Sequence, residues 1–158
     1  MIHKLNFITT YNQFYLADKL HQGSSGSDNF WTNEAHSDRL ANEKGILGIR
    51  TESYGDIKGE LVILDKPPVN DDIDKCDHVV EAGLEISSGT LQVLDCPNNN
   101  VEISLNVSPG KYRVRVYCSN FESVKETDFA DDADDDYYKI LLWKSDDMER
   151  KVLKQSNR

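Results

Sequence analysis

Cysteine is scarce in this chain: Cys76, Cys96 and Cys118 are all there is, with no C-x-x-C pair and no histidine at zinc-binding spacing. An odd count with no framework excludes a disulfide-stapled or zinc-finger scaffold. It leads us to expect a reducing, cytoplasmic setting in which the thiols act as small buried apolar groups. Long hydrophobic runs are also missing. No stretch reaches the roughly 18 apolar residues of a membrane-spanning helix, and the opening MIHKLNFITTYNQF lacks the apolar centre of a secretory signal.

The residues of hydrolytic and redox chemistry are equally sparse. His3, His21, His36 and His78 are scattered, without an H-E-x-x-H pair. The only serine-glycine cluster, Gly23-Ser24-Ser25-Gly26-Ser27, is not a nucleophile elbow. Neither a phosphate loop nor a dinucleotide fingerprint occurs. The reading is therefore of a non-enzyme that needs no cofactor. Positive charge is in deficit as well: 18 basic residues stand against 28 acidic ones, a formal net charge of -10. Affinity for nucleic acid comes largely from neutralising phosphates, so direct binding of DNA or RNA is not expected. An anionic membrane surface is disfavoured for the same reason.

What is present is a succession of short alternating segments. KLNFIT, NQFYLAD, GILGIRTES, GELVILD, HVVEAGLEIS, TLQVLDC, VEISLNV, KYRVRVYCS and YYKILLWK all have strand character. In KYRVRVY, Tyr112, Val114 and Val116 share one face while Lys111, Arg113 and Arg115 share the other, predicting one packed and one wet face. Turn clusters such as SYGDIKG, DKPPVNDD and CPNNN separate the segments. At 158 residues the chain suits one domain. The expected fold is all-β: an antiparallel β-sandwich of eight to nine short strands over residues 1–144, followed by a short C-terminal helix or tail over 145–158. One helix is expected in WTNEAHSDRLANEKG, capped by Thr32 and ended by Gly45.

The strongest local feature is the run TDFADDADDDYYKILLW. Glu122, Glu126, Asp128, Asp131, Asp132, Asp134, Asp135 and Asp136 face Lys125 alone. Read as an EF-hand starting at Asp132, the run puts Tyr137 where the loop glycine belongs and Trp143 where the bidentate glutamate belongs, so that motif is excluded. Three readings stay open. The run is a solvated loop, or it is a calcium site of the C2 type completed by Asp71, Asp72 and Asp74 of DKPPVNDDIDK, or it recognises a basic protein. In the third, Asp128, Asp131, Asp132, Asp134, Asp135 and Asp136 supply the field and Tyr137 or Tyr138 the anchor, since one of that pair must point away from the core.

Several stretches carry a resemblance. They are YNQFYLAD, then FWTNEAHSDRLANEKGILGIRTESYGDIKGELVILDKPP, then SPGKYRVRVYCSN and DDYYKILLW, spanning residues 11–143. The marks are Tyr11 and Phe14, the Trp31-Thr32-Asn33-Glu34-Ala35 entry to a helix, Gly45 before a strand, and a Pro-Gly turn into a tyrosine-bearing strand. In these the chain resembles the competence protein J-like family of bacterial nuclease inhibitors and immunity-type proteins. The resemblance implies a non-catalytic protein that binds and blocks a nuclease or nuclease toxin. Trp31 and Trp143 are expected to be core aromatics.

Overall fold

A computed structural model describes residues 1–69 and 71–158. Each of the nine segments with strand character forms a strand: β1 (Ile2–Ile8), β2 (Gln13–Asp18), β4 (Ile46–Arg50), β5 (Asp56–Ile63), β6 (His78–Ile86), β7 (Thr90–Leu94), β8 (Val101–Asn106), β9 (Gly110–Ser119) and β10 (Tyr137–Lys144). Two more, β3 (Leu40–Glu43) and β11 (Lys151–Lys154), bring the total among the described residues to eleven. They make a six-stranded sheet in the order β1-β5-β10-β9-β6-β11 and a five-stranded sheet in the order β3-β4-β2-β7-β8. Leu5, Ile57, Leu61, Val80, Val114 and Ile140 from the first sheet meet Phe14, Leu16, Leu47, Ile49, Leu91 and Val93 from the second in one buried core. No helix among the described residues is long and apolar enough to cross a membrane.

The expected antiparallel sandwich of eight to nine strands needs correction on two counts. There are eleven strands, and the larger sheet is mixed because β10 runs parallel to β5. After β5 the chain crosses to β6 on the far side of β9, so β10, returning antiparallel to β9, lies alongside β5 in the same direction. That pairing is close: a Cβ on Gly59 would sit 2.0 Å from the Tyr138 carbonyl oxygen. Only glycine fits there.

The predicted helix is also shorter than expected. Thr32 caps α1 (Asn33–Asp38), its Oγ1 accepting from the Ala35 N–H at 3.1 Å. The helix then stops at Arg39, which adopts left-handed backbone (φ 61°). Leu40 and Ala41 are fully buried in β3, and Gly45 (φ 77°) turns β3 into β4 instead of ending a helix. Tertiary burial of Leu40 outweighs the helical propensity of the segment. The C-terminal stretch likewise forms β11 against β6 in place of the expected helix or tail.

The wet face predicted for β9 is largely covered. Residues 145–150 fold back across it, so Arg113 is 3% exposed, held by Glu81 (3.2 Å) and by the Asp147 carbonyl (3.1 Å). Trp143 packs beside it with Val79, Tyr117 and Leu141 in a small outer cluster. On the opposite outer face Phe30 and Trp31 lie over Gly48, where a Cβ would meet both rings within 3 Å.

His78, fully buried at the start of β6, ties these layers to the C-terminal segment. Its Nδ1 accepts from the Ser156 N–H (3.1 Å) and its Nε2 meets the Asp38 carbonyl (2.7 Å). A backbone N–H can only donate, so Nδ1 is bare, the proton sits on Nε2, and the ring is neutral. Burial pushes its pKa below 6.5. Below pH 6.5 the unfolded chain takes up a proton that the folded chain refuses. The stabilisation is therefore complete above pH 6.5 and is lost as pH falls toward the lowered folded value. Urea melts are expected to show stability falling in that window by up to about 1.4 kcal/mol per pH unit, with the slope flattened in His78→Gln.

Candidate functional site

The acidic run lies at one end of the two sheets, where three connections meet. Between β1 and β2, Tyr11 (φ 59°) and Asn12 (φ 57°) both take left-handed backbone in a tight turn. The Asn12 amide reaches the Glu52 carbonyl (3.1 Å), the Ser53 carbonyl (3.2 Å) and the Thr127 carbonyl (2.8 Å). It thereby staples the acidic loop to the β4–β5 connection. Gly55 packs against Ala130 on the same side, and the Tyr11 and Tyr54 rings meet edge-on with centroids 6.1 Å apart.

Period-two geometry carries into the loop and sorts its carboxylates. Asp134, Asp136 and Tyr138 point inward, continuing the face of Ile140 and Leu142, and are 5%, 1% and 0% exposed. Asp136 Oδ2 accepts from the Ser53 N–H and Ser53 hydroxyl, both at 3.0 Å, and from the Tyr138 hydroxyl. Tyr138 in turn accepts from the Glu52 N–H at 2.7 Å. Burial, followed by the neighbouring Asp136 charge, raises the Tyr138 pKa far above 10, so its proton stays in place. Asp134 Oδ2 accepts from the Asp131 N–H (3.0 Å), while Lys58 donates to the Asp134 carbonyl (3.0 Å) and pairs with Asp135 (3.1 Å).

The outward set is Asp128, Asp131, Asp132 and Asp135, with Tyr137 at the rim, 37% exposed and donating to Glu60 at 3.0 Å. Among the described residues Asp128, Asp131 and Asp132 form no ion pair. Of the six aspartates expected to face a partner, Asp134 and Asp136 are thus structural, since reaching them would require the loop to open. Of the tyrosine pair, one of which was expected to point away from the core, Tyr137 does so and Tyr138 is buried. Beside the outward aspartates stand exposed apolar surfaces that sequence reasoning did not assign: Tyr11 (59% exposed), Phe129 (57%) and the half-buried Tyr54. The Tyr-Asn dipeptide between the first two strand segments was an available local signal for Tyr11.

Under this end lies a charged network. Glu52, 4% exposed, accepts from Arg39 at 2.7 Å and pairs with Arg158 at 3.0 Å. The Arg39 guanidinium stacks 4.3 Å from the Phe121 ring centroid. Arg158 also donates to the carbonyls of Phe121 and Val124, at the start of the connection that carries the acidic run. Two cations on one buried carboxylate anchor the loop's entry, as Asp136 anchors its exit.

Among the described residues no three His, Cys, Asp or Glu side chains converge to hold a metal ion. Asp71, proposed above as a calcium ligand, is engaged by Arg115 and by the Tyr117 hydroxyl (2.8 Å) on the outer face of the larger sheet. Between α1 and the acidic loop opens a cleft of about 270 Å³ lined by Tyr11, Trp31, His36, Arg50, Glu52 and Asp128.

No family model matches the chain, and no curated protein does. Solved structures do. The crystal structure of ComJ from Bacillus subtilis, inhibitor of the DNA degrading activity of NucA, superposes with a TM-score of 0.67 at 16% identity, over 92% of this chain and 99% of that one. The structure described as crocagin biosynthetic gene J gives a TM-score of 0.58 at 17% identity, over 92% and 97%. The resemblance read from residues 11–143 is therefore carried by the fold, and the chain has the architecture of the nuclease inhibitor ComJ.

Proposed function

We propose that this protein is a nuclease inhibitor: it binds a basic nuclease through its acidic end and keeps that enzyme from its DNA, without catalysis of its own. The observation that carries the reading is the end-to-end likeness to ComJ, whose described role is inhibition of a DNA degrading activity. The charge of the molecule supports the same class of partner. Asp128, Asp131, Asp132 and Asp135 project from a braced loop, with Tyr11, Tyr137 and Phe129 beside them. Carboxylates so arranged occupy the ground that phosphates would take on a nuclease. They also steer encounter, lifting association above the roughly 10⁵–10⁶ M⁻¹s⁻¹ of neutral pairs. Exposed tyrosine supplies rigid contact area at low entropic cost. The expected setting is the cytoplasm.

Three outcomes test this, two on a purified nuclease that the protein inhibits and one on the protein's own stability. Changing Asp128, Asp131, Asp132 and Asp135 together to serine is expected to weaken inhibition by at least about tenfold with little change in melting temperature, because exposed charges contribute little to stability. Asp136→Ala is expected to do the reverse at the level of folding. It strands three donors and costs about 2–4 kcal/mol in a urea melt. Raising ionic strength beyond the point where screening acts within about 8 Å is expected to slow association of the wild type and to leave the serine variant nearly unaffected. Inhibition indifferent to both salt and the four substitutions would refute the acidic end as the contact surface.

A further inference from the structure

In a protein of net charge -10, Arg50 stands out as a cation held in a cleft without a carboxylate partner among the described residues. It ends β4, half-buried, between Trp31 and His36 on one side and the start of the acidic loop on the other. Its Nη1 donates to the His36 carbonyl at 2.9 Å, and that is the side chain's one hydrogen bond among the described residues. No ion pair reaches it among those residues, although Glu52 and Asp128 line the same cleft. Glu52 is already held by Arg39 and Arg158. Burial and the Arg39 charge lower the Arg50 pKa, which marks a guanidinium whose surroundings undercompensate it.

The walls around this cation are ordered. Trp31 donates from Nε1 to Gln13 Oε1 (2.9 Å), and Gln13 donates back to the Tyr11 carbonyl (3.1 Å), fixing the rim. The His36 ring lies against Trp31, centroids 5.1 Å apart. Burial and the Arg50 charge lower the His36 pKa, so the imidazole is neutral near pH 7 and Arg50 is the charge on offer. A planar fork of free N–H donors in a partly enclosed cleft matches a carboxylate better than any single point donor would. Asp128, which also lines the cleft, is exposed and forms no ion pair among the described residues, and it matches a cation next to that carboxylate.

We propose that the Arg50 cleft receives an aspartate or glutamate side chain of the nuclease, one that stands beside the basic residues engaged by Asp128 and the outer loop. This rests on the inhibitor reading and adds to it a specificity device of opposite sign. The acidic loop draws in basic surfaces in general, and the cleft selects the one that presents a carboxylate at the right place. Juxtaposed charges of both signs fix register and reject partners that would leave Arg50 buried against nothing.

The test uses the full ¹⁵N-labelled protein and no nuclease, so its outcome is independent of whether inhibition is observed. The Arg50 Nε–Hε resonance and the His36 ring resonances are followed during titration with Ac-Lys-Glu-Lys-NH₂, Ac-Lys-Gln-Lys-NH₂ and inorganic phosphate. The glutamate peptide is expected to shift Arg50 saturably, at least about fivefold more tightly than the glutamine peptide. It is also expected to raise the His36 titration midpoint, since an adjacent anion favours the imidazolium. Arg50→Gln is expected to erase the preference, while Arg50→Lys keeps the charge without the fork and retains only part of it. Equal titration by the two peptides, or shifts confined to residues 128–136, would overturn the proposal. Phosphate binding as tight as the glutamate peptide would also overturn it, by making the cleft a general anion site.

Discussion

The buried carboxylate of Asp136 is the constraint around which the candidate site is organised. It is 1% exposed, and among the described residues no cation pairs with it. Its charge is held by the Ser53 N–H, the Ser53 hydroxyl and the Tyr138 hydroxyl. Moving a carboxylate out of water is costly unless its oxygens find donors, so this geometry is demanding. It locks the β4–β5 connection to the first residues of β10. The parallel pairing of β10 with β5, which leaves no room for a side chain at Gly59, lies one step further along the same strands. The Arg39–Glu52–Arg158 network acts one residue earlier, tying Glu52 to the start of the acidic loop through the Phe121 and Val124 carbonyls that Arg158 holds.

These anchors distinguish the acidic run from a merely solvated loop. A solvated run would present all of its charges to water, and each would be free to move. Here alternate residues are drawn inside, the backbone is tied by Asn12, Lys58, Asn120 and Ser123, and the outward carboxylates are left on a braced frame. Holding like charges close together raises the local potential and costs stability through repulsion. An oppositely charged partner would offset that cost. In the inhibitor reading that partner is a nuclease, and the loop's preorganisation spares the complex the entropy of ordering it.

Much of the strand content was legible because alternation and turn chemistry are local signals, and all nine segments that carried them are strands. Where the sequence misled, the cause was tertiary. WTNEAHSDRLANEKG is rich in helix formers, yet Leu40 is needed in the core, and the left-handed Arg39 ends the helix to deliver it. The parallel contact of β5 and β10 joins residues far apart in the chain, with no local mark. The inward turn of Asp134 and Asp136 was legible in principle: both share the phase of Tyr138, Ile140 and Leu142, and the alternation that identified β10 could have been extended backward through them. Arg50 carried no signal at all, because the lack of a carboxylate partner is a property of three-dimensional neighbours.

Hydrogen exchange on the protein alone and in complex with the nuclease it inhibits tests the central claim most directly. The account predicts added protection across residues 127–137, the Tyr11–Asn12 turn and the 50–54 connection. Amides of β8, on the far edge of the smaller sheet, should exchange unchanged. Protection centred on β8 or on β11, with residues 127–137 exchanging as in the free protein, would contradict it.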